Sequence, residues 1–407
     1  MSAAGDALVI LGGGQAGGRA AEALRGAGYK GRLAIIGEET MLPYERPPLS
    51  KDLLAGRSSC DALLVRGTDW YDHEKIALHL GQPASEIDRQ AARIILADGT
   101  RIPYSALLMA TGARPRQLPF APPGDRIHYL RTTDDCFRLR EALQARCHLA
   151  IIGAGFIGLE VAATARKLGC TVTVLEVAPA PLMRAVMPEI GGFFTGLHRG
   201  HGVELRYGVR VHDIDAGDET VHIQTAEGSL TAHQVLVGIG ILPNDELAAA
   251  SGLAVEDGIL VDDCARTNDG AVFAAGDVAR RESPRYGRHI RFESWHNAQN
   301  HAIAAARNML GPPTPYDEVP WFWSDQYDVN FQSAGATQSD GETVRRPGAS
   351  DNSFALFLVE EQRLIGVQAI NFQRDMRWAR RLIETGVEVA PERLADPAVK
   401  LQELAKG

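Results

Sequence analysis

The chain has 407 residues, of which 45% are hydrophobic and 23% charged, and its formal net charge is −9. That length exceeds one ordinary core and suggests two or three domains, with the composition of a globular protein. The acidic balance argues against general nucleic-acid binding, no apolar run reaches bilayer-spanning length, and the N-terminus lacks the basic flank and cleavage site of a signal peptide, so a cytoplasmic protein without membrane attachment is expected.

Residues Ala7–Leu11 read as a short buried strand, followed by Gly12-Gly13-Gly14-Gln15-Ala16-Gly17. A helix from Gln15 to Gly26 and a second strand, Arg32–Ile36, come next, and Glu38 stands 21 residues after Gly17. One glycine motif is weak evidence. Strand, glycine turn, helix, strand and a carboxylate placed for ribose hydroxyls together indicate nucleotide binding.

Tyr44–Lys51 is a loop by its prolines, with Lys51 expected at or near the start of a short helix capped by Ser50. Lys51 reads either as a solvated lysine or as a cation beside a flavin, where it would stabilise negative charge developing on the reduced ring. Arg93–Ile102 reads as a hairpin turning at Asp98-Gly99. A strand from Ser105 then ends in Ala110-Thr111-Gly112 and marks the exit from a first domain. Residues 113–145 are a connection and a helical segment, with Arg131-Thr132-Thr133-Asp134 near its start.

The strand–glycine–helix pattern returns at Ile151–Gly158, with a helix over Leu159–Leu168 and a strand over Thr171–Glu176. Gly153 allows the tight turn, Gly155 lets backbone N–H groups approach a pyrophosphate, and Gly158 lets helix and strand pack closely. Glu176 follows Gly158 by 18 residues. A carboxylate there accepts from a ribose 2′-hydroxyl and repels a 2′-phosphate, so NADH is expected over NADPH, with Arg184 leaving room for partial NADPH use. Glu160 reads as a charge favouring the helix N-terminus or as a group orienting a nicotinamide carboxamide. Gly238–Pro243, containing Gly240, closes this second domain.

Strands are expected at Gly258–Val261 and Ala271–Ala275, the second ending in Gly276-Asp277 with a helix N-terminus behind it. Asp277 suits a flavin ribityl hydrogen bond and equally an ordinary turn. Glu293–Asn300 opens a helix to Met309, and Gly311–Pro315 breaks the chain. Residues 316–407 look like a third, α+β domain: Trp321–Gln326, strands at 354–359 and 364–370, and a helix over 374–385 carrying Arg374, Arg377, Arg380 and Arg381. That basic run is a solvated face or a docking patch for an acidic partner. The five cysteines (Cys60, Cys136, Cys147, Cys170, Cys264) form no C-x-x-C and no metal-ligand pair, so no metal is expected and any electrons must travel on a bound cofactor.

The two nucleotide units, Ala110-Thr111-Gly112, Gly276-Asp277 and the third domain resemble the glutathione-reductase-type flavoproteins. Arg46-Pro47-Pro48-Leu49-Ser50-Lys51, Glu293–Ala298 and Trp321–Gln326 are similar, more narrowly, to the NADH-dependent ferredoxin reductases of oxygenase systems. The resemblance implies an α/β chain: an FAD-binding Rossmann-like domain of residues 1–114 and 245–320, an NADH-binding one of 115–244, and a C-terminal α+β domain of 321–407. It implies FAD contacts at Gly12, Gly14, Ala16, Gly17, Glu38, Arg46, Lys51, Ala84, Thr111, Gly112, Arg131, Gly276, Asp277, Trp295 and Trp321. It implies NADH contacts at Gly153, Gly155, Ile157, Gly158, Glu160, Glu176, Arg184 and Gly240. Lys51 and Glu160 are expected to pair as the catalytic residues and to stabilise the reduced flavin–nicotinamide complex.

The same resemblance implies hydride transfer from NADH to FAD, then single electrons to a [2Fe-2S] ferredoxin serving a Rieske-type dioxygenase or a haem monooxygenase. The ferredoxin would dock near Trp321, Trp323 and the basic helix 374–381, with Arg280, Arg281 and Arg285 as further contacts. A disulfide reductase would need a cysteine pair in the first domain's opening helix, and none is present. Monodehydroascorbate reductases and the apoptosis-inducing-factor-like flavoproteins, which act as NADH-binding interaction modules, are the alternatives.

Overall fold

Two five-stranded parallel sheets carry the two glycine motifs, and a five-stranded antiparallel sheet follows near the C-terminus. The computed structural model describes residues 7–350 and 352–406; the first six residues of the expected FAD-binding domain, Asp351 and Gly407 lie outside the described residues. Contacts divide the chain into two units. One runs up to Pro47 and continues through Ser59–Arg114 and Ile241–Glu318; the other comprises Pro48–Ser58, Pro115–Gly240 and the chain from Val319 onward.

In the first unit the strand order is Val272–Ala274, Ala106–Met109, Ala7–Leu11, Arg32–Gly37, Ile76–Leu80, all parallel. These strands are continuous apolar runs because both faces are covered, as parallel sheets require. On one face the helices Gln15–Gly26 and Trp295–Leu310 contribute Ala20, Ala21 and Leu24 and Ala302, Ala305 and Ala306 to one core. The alanines let the two helices approach the sheet and each other closely. On the other face Ile87, Ile94 and Leu96 of the small hairpin sheet pack with Val9, Leu11, Leu107 and Met109.

In the second unit the parallel order is Glu204–Tyr207, Thr171–Glu176, His148–Ile152, Gln234–Val237, Ile127–His128. All five cysteines are free thiols. The register places Cys147 and Cys170 side by side at the starts of two neighbouring strands, where the Thr171 N–H donates to the Cys147 carbonyl at 2.9 Å.

The antiparallel sheet has the order Trp321–Gln326, Val329–Gly335, Arg363–Ile370, Phe354–Glu360, Glu342–Pro347. Three of these strands are not evident in the sequence, because Val329–Gly335 alternates with Asn, Gln and Ser and Glu342–Pro347 is an edge strand full of charge. Arg346 is nonetheless buried, donating to the carbonyls of Leu394, Asp396 and Val399 at 3.0, 2.7 and 2.8 Å. It ties the tail to the sheet edge.

An aromatic cluster joins this sheet to the helices of its own unit. Phe156 lies 4.5 Å from Phe322 and 5.5 Å from Phe331 between ring centroids, and Phe194 lies 5.8 Å from Phe331. Phe331 and Phe194 are fully buried, each contributing roughly 1.5–3 kcal/mol by area. Among the described residues no helix is long and apolar enough to cross a membrane.

Candidate functional site

Each parallel sheet ends in a glycine loop, and the two loops show the same division of labour. A Cβ on Gly12 would lie 2.1 Å from the Ala110 carbonyl oxygen, and one on Gly17 2.0 Å from that of Gly12. In the second loop a Cβ on Gly153 would lie 2.4 Å from the Gly238 oxygen, and one on Gly158 2.3 Å from that of Gly153. These four glycines are dictated by packing. The middle ones are not: the nearest atom to a Cβ on Gly14 is Arg46 Nη2 at 3.7 Å, and on Gly155 the Gly238 oxygen at 3.9 Å. A glycine that the fold itself does not require is what a loop carries when a ligand must approach its backbone.

Gln15 opens the helix Gln15–Gly26 at 7% exposure, and neither atom of its side-chain amide has a partner. Unpartnered donors, acceptors and helix-terminal amides at one loop suit a dinucleotide phosphate. Glu38, just past the strand Arg32–Gly37, is exposed. A Cβ on Gly276 would lie 3.1 Å from the Cβ of Ala16, so the Gly276-Asp277 turn sits against the first loop. Behind Asp277 comes a 3-10 turn, Gly276–Val278, and then the strand Ala279–Ser283, in place of the expected helix. The later helix, with Trp295 as its first residue, is capped by Ser294, whose hydroxyl accepts the Asn297 N–H at 3.1 Å.

Thr111 donates its hydroxyl to the Asn244 carbonyl at 2.7 Å while Asn244 Nδ2 donates to the Thr111 carbonyl at 2.9 Å, and the Asn244 N–H meets the Gly112 carbonyl at 2.9 Å. Arg46 donates to the Tyr44 hydroxyl at 2.9 Å and pairs with Glu39 at 2.7 Å. Ala84 begins the strand Ala84–Asp88 and packs against the core of the first unit. Arg131 belongs to the second unit, its N–H donating to Asp135 at 3.1 Å ahead of the helix Thr133–Ala142.

In the second unit Glu176 is fixed by its own loop: Oε2 accepts the Ala154 N–H at 2.7 Å and Oε1 the Ala178 N–H at 2.8 Å. Among the described residues only four large hydrophobics are exposed, and three of them, Ile157, Val177 and Met183 at 47, 54 and 53%, belong to this loop region. An apolar lining beside a glycine loop and a carboxylate fits the flat faces of a dinucleotide's rings. Arg184 is exposed beside Met183, and Gly240 holds φ +106° with open space at its Cβ position.

Glu160 is the most informative residue. The helix begins at Phe156, earlier than its pattern suggests, which moves Glu160 into the second turn and buries it to 4% exposure. It does not serve as a solvated helix-terminal charge. Lys51 Nζ lies 2.7 Å from Glu160 Oε2, which also accepts from the Ser50 hydroxyl, while Oε1 accepts from the Ser324 hydroxyl at 2.6 Å. Thr164, one turn further along, donates to the Ser50 carbonyl at 2.8 Å and holds the loop down. The expected helix starting at Lys51 is absent. A 3-10 turn, Pro47–Ser50, ends there, and Ser50 spends its hydroxyl on Glu160.

Strand alternation explains Trp321–Gln326. Phe322, Ser324 and Gln326 share the face toward the helix Phe156–Lys167, and Trp321, Trp323 and Asp325 share the other. On that second face the Trp321 and Trp323 rings stack at 5.1 Å, and Arg380 lies 5.8 Å from the Trp321 ring. Arg374, Arg377 and Arg381 are exposed on the helix Gln373–Thr385. Arg281 is only 2% exposed and donates to the Tyr316 carbonyl at 3.1 Å, so it is not available to a docking partner. Arg280 and Arg285 pair with Glu256 and Asp317 at 3.7 and 3.4 Å.

Sequence reasoning missed Ser50, Ser324, Val177 and Met183. The first two lie inside motifs visible in the chain, but their meeting at Glu160 spans 110 and 164 residues. No local pattern reports that.

The chain is similar to known proteins along nearly its whole length. Residues 6–302 match the family model described as pyridine nucleotide-disulphide oxidoreductase, and 321–405 match the reductase C-terminal domain. The chain is 44% identical over 403 residues, 98% of each chain, to the anthranilate 1,2-dioxygenase system ferredoxin–NAD(+) reductase component of Burkholderia cepacia. It is 41% identical to rhodocoxin reductase of Rhodococcus erythropolis, covering 96% of this chain and 92% of that one. The structure superposes with a TM-score of 0.95, at 36% identity and 99% coverage of both chains, on the reductase of a covalent putidaredoxin reductase–putidaredoxin complex.

Proposed function

The chain belongs to the pyridine nucleotide-disulphide oxidoreductase family, and from that premise we propose that it is an FAD-dependent NADH:ferredoxin oxidoreductase supplying electrons to an oxygenase. One observation carries the reading. Both halves hold a complete glycine loop whose middle glycine packing does not require, while the opening helix Gln15–Gly26 contains no cysteine to receive electrons internally. The electrons therefore leave on a partner.

A bound flavin supplies the change from paired to single electrons that a nicotinamide cannot offer an iron–sulfur acceptor. The first unit holds FAD, with Gly12, Gly14, Gly17 and the helix N-terminus at Gln15 cradling its pyrophosphate and Glu38 meeting the ribose. Arg46, Thr111, Gly112, Gly276, Asp277 and Trp295 complete that site. Residues 115–244 hold NADH: Gly153, Gly155 and Gly158 admit its phosphates, Glu176 takes the 2′-hydroxyl, and Ile157, Val177 and Met183 cover its rings. Lys51 and Glu160 act as one charged pair, Lys51 supplying positive charge where negative charge develops and Glu160 orienting the carboxamide.

The acceptor is a [2Fe-2S] ferredoxin of acidic surface, met by Trp321, Trp323 and the arginines of the helix Gln373–Thr385. Rapid cytochrome c reduction by NADH is expected only when such a ferredoxin is added; equal rates without it would leave the reductase reading without its acceptor. Arg377→Glu should raise KM for ferredoxin at least threefold and flatten its rise with salt, and an unchanged salt profile would remove this helix from the docking surface.

A further inference from the structure

We propose that Tyr327, His198, Gln326 and Ser324 form a one-way hydrogen-bond chain that positions the carboxylate of Glu160, so that Ser324 and Gln326 are positioning residues for the NADH reaction. The inference rests on the reading of Glu160 as a nicotinamide-facing group.

Each link fixes the direction of the next. Ser324 Oγ accepts from Gln326 Nε2 at 3.1 Å, and a hydroxyl has a single proton, so that proton goes to Glu160 Oε1 at 2.6 Å. With the amide nitrogen of Gln326 committed to Ser324, its oxygen faces His198 Nε2 at 2.7 Å. An amide oxygen only accepts, so His198 carries its proton on Nε2. Its Nδ1 is then an acceptor, 3.4 Å from the Tyr327 hydroxyl, which burial keeps protonated. The donors run from Tyr327 through three side chains to Glu160, while Lys51 and Ser50 approach the opposite oxygen.

The three inner links are enclosed, while Tyr327 at the outer end is half-buried. His198 and Ser324 are 0% exposed and Gln326 1%. Burial pushes the His198 pKa down to about 4, so the ring is neutral at working pH and keeps one donor and one acceptor. The reverse tautomer would turn the Gln326 amide around, take the Ser324 proton away from Glu160, and set a lone pair against a buried carboxylate.

The chain is also costly to keep. Phe156, Phe194, Phe322 and Phe331 surround this region, and an apolar core there would be as stable or more so. What the polar chain adds is a fixed carboxylate. Glu160 has three rotatable side-chain bonds, and holding one oxygen by Lys51 and Ser50 and the other by Ser324 sets the plane in which it meets a ligand. Ser324 and Gln326 come from one strand, two positions apart, which puts both on the same face.

The test uses the FAD-loaded enzyme in stopped flow, following flavin bleaching under saturating NADH. Ser324→Ala should lower the limiting rate about tenfold, the loss of one charge-assisted hydrogen bond, and Ser324→Thr should restore it to within twofold. Gln326→Leu should match Ser324→Ala, and the double variant should be no slower, because both act through one contact. Wild-type rates in Ser324→Ala, failed rescue by threonine, or losses that multiply would each overturn the proposal. A second readout is independent of turnover: in 15N-histidine-labelled holoenzyme, the His198 signal, identified by its absence in His198→Gln, should show a protonated Nε2 and a bare Nδ1. A protonated Nδ1 would overturn the chain outright. Glu160→Gln separates the two readings. If it leaves reduction by NADH unchanged, the role of Glu160 itself fails; if it slows reduction while Ser324→Ala does not, only the chain fails.

Discussion

Replacing Lys51 by methionine removes one end of an ion pair whose other end cannot reach water. The two charges lie 2.7 Å apart, with side-chain exposures of 20% for Lys51 and 3% for Glu160. At an effective dielectric near 20 their attraction is about 6 kcal/mol, most of it offset by the cost of burying the carboxylate. Lys51→Met should destabilise by about 2–3 kcal/mol, below the range for fully buried pairs because the lysine is part-hydrated. Glu160→Gln should cost less, about 1–2 kcal/mol, since the amide oxygen still accepts from one of the two serines, the amide nitrogen can donate to the hydroxyl oxygen of the other, and the lysine can turn toward solvent. The double variant should lose about 2 kcal/mol less than the two singles combined. At about 2.1 cal/mol/K of unfolding entropy per residue, 1 kcal/mol shifts the midpoint of a 407-residue chain by only about 1.2 °C, so Lys51→Met should lower the melting temperature of the FAD-loaded protein by roughly 2–4 °C, read by differential scanning calorimetry. In the same proteins the rate of flavin reduction by NADH should fall in both singles. Strictly additive losses in the cycle would refute the pairing.

The glycines offer a sharp contrast. Gly155→Ala should leave the melting temperature within about 2 °C while raising KM for NADH severalfold, whereas Gly153→Ala, whose Cβ would sit 2.4 Å from the Gly238 oxygen, should be recovered largely insoluble; equal behaviour of the two would contradict the division between packing and ligand-facing glycines. Acid should also weaken the fold in a defined window. Burial holds His198 at about 4 and His301 at about 3, both below the ordinary 6.5 of the unfolded chain. As pH falls below about 6.5 the unfolded state takes up protons that these rings refuse, so their stabilising contribution is full above that pH and is lost as pH falls toward 4, about 3 kcal/mol for His198 alone. Melting temperatures measured from pH 7.5 to 4.5 should drop through that interval, and a flat profile would mean that the rings titrate normally.

Much of the architecture was readable because glycine loops are local. Gly12–Gly17 and Gly153–Gly158 each sit between an apolar strand and an apolar-periodic helix, so one stretch of chain contains the whole signal, down to Glu38 and Glu176. Helix Gln15–Gly26 and strand Thr171–Glu176 fall where the pattern puts them. What could not be read was convergence. Ser324 looks like any strand serine until Glu160 lies 2.6 Å away, and His198 is one of 12 histidines until burial and Gln326 single it out. Charge misled in a similar way: Arg280-Arg281 reads as a basic doublet, yet strand geometry turns one side chain outward and buries the other against Tyr316. Cys147 and Cys170, apparently unrelated in the chain, become neighbours only through strand register.

The aromatic cluster and the Ser324 hydroxyl have a consequence for how such a protein can be recombined. A chimaera that exchanges only the chain from Val319 onward would import a new Phe322, Phe331 and Ser324 against an old Phe156, Phe194 and Glu160. Swapping that segment alone would set these contacts between chains of different origin. The inherited block must include the loop around Ser50 and the helix Phe156–Lys167, and crossover points belong outside all three segments.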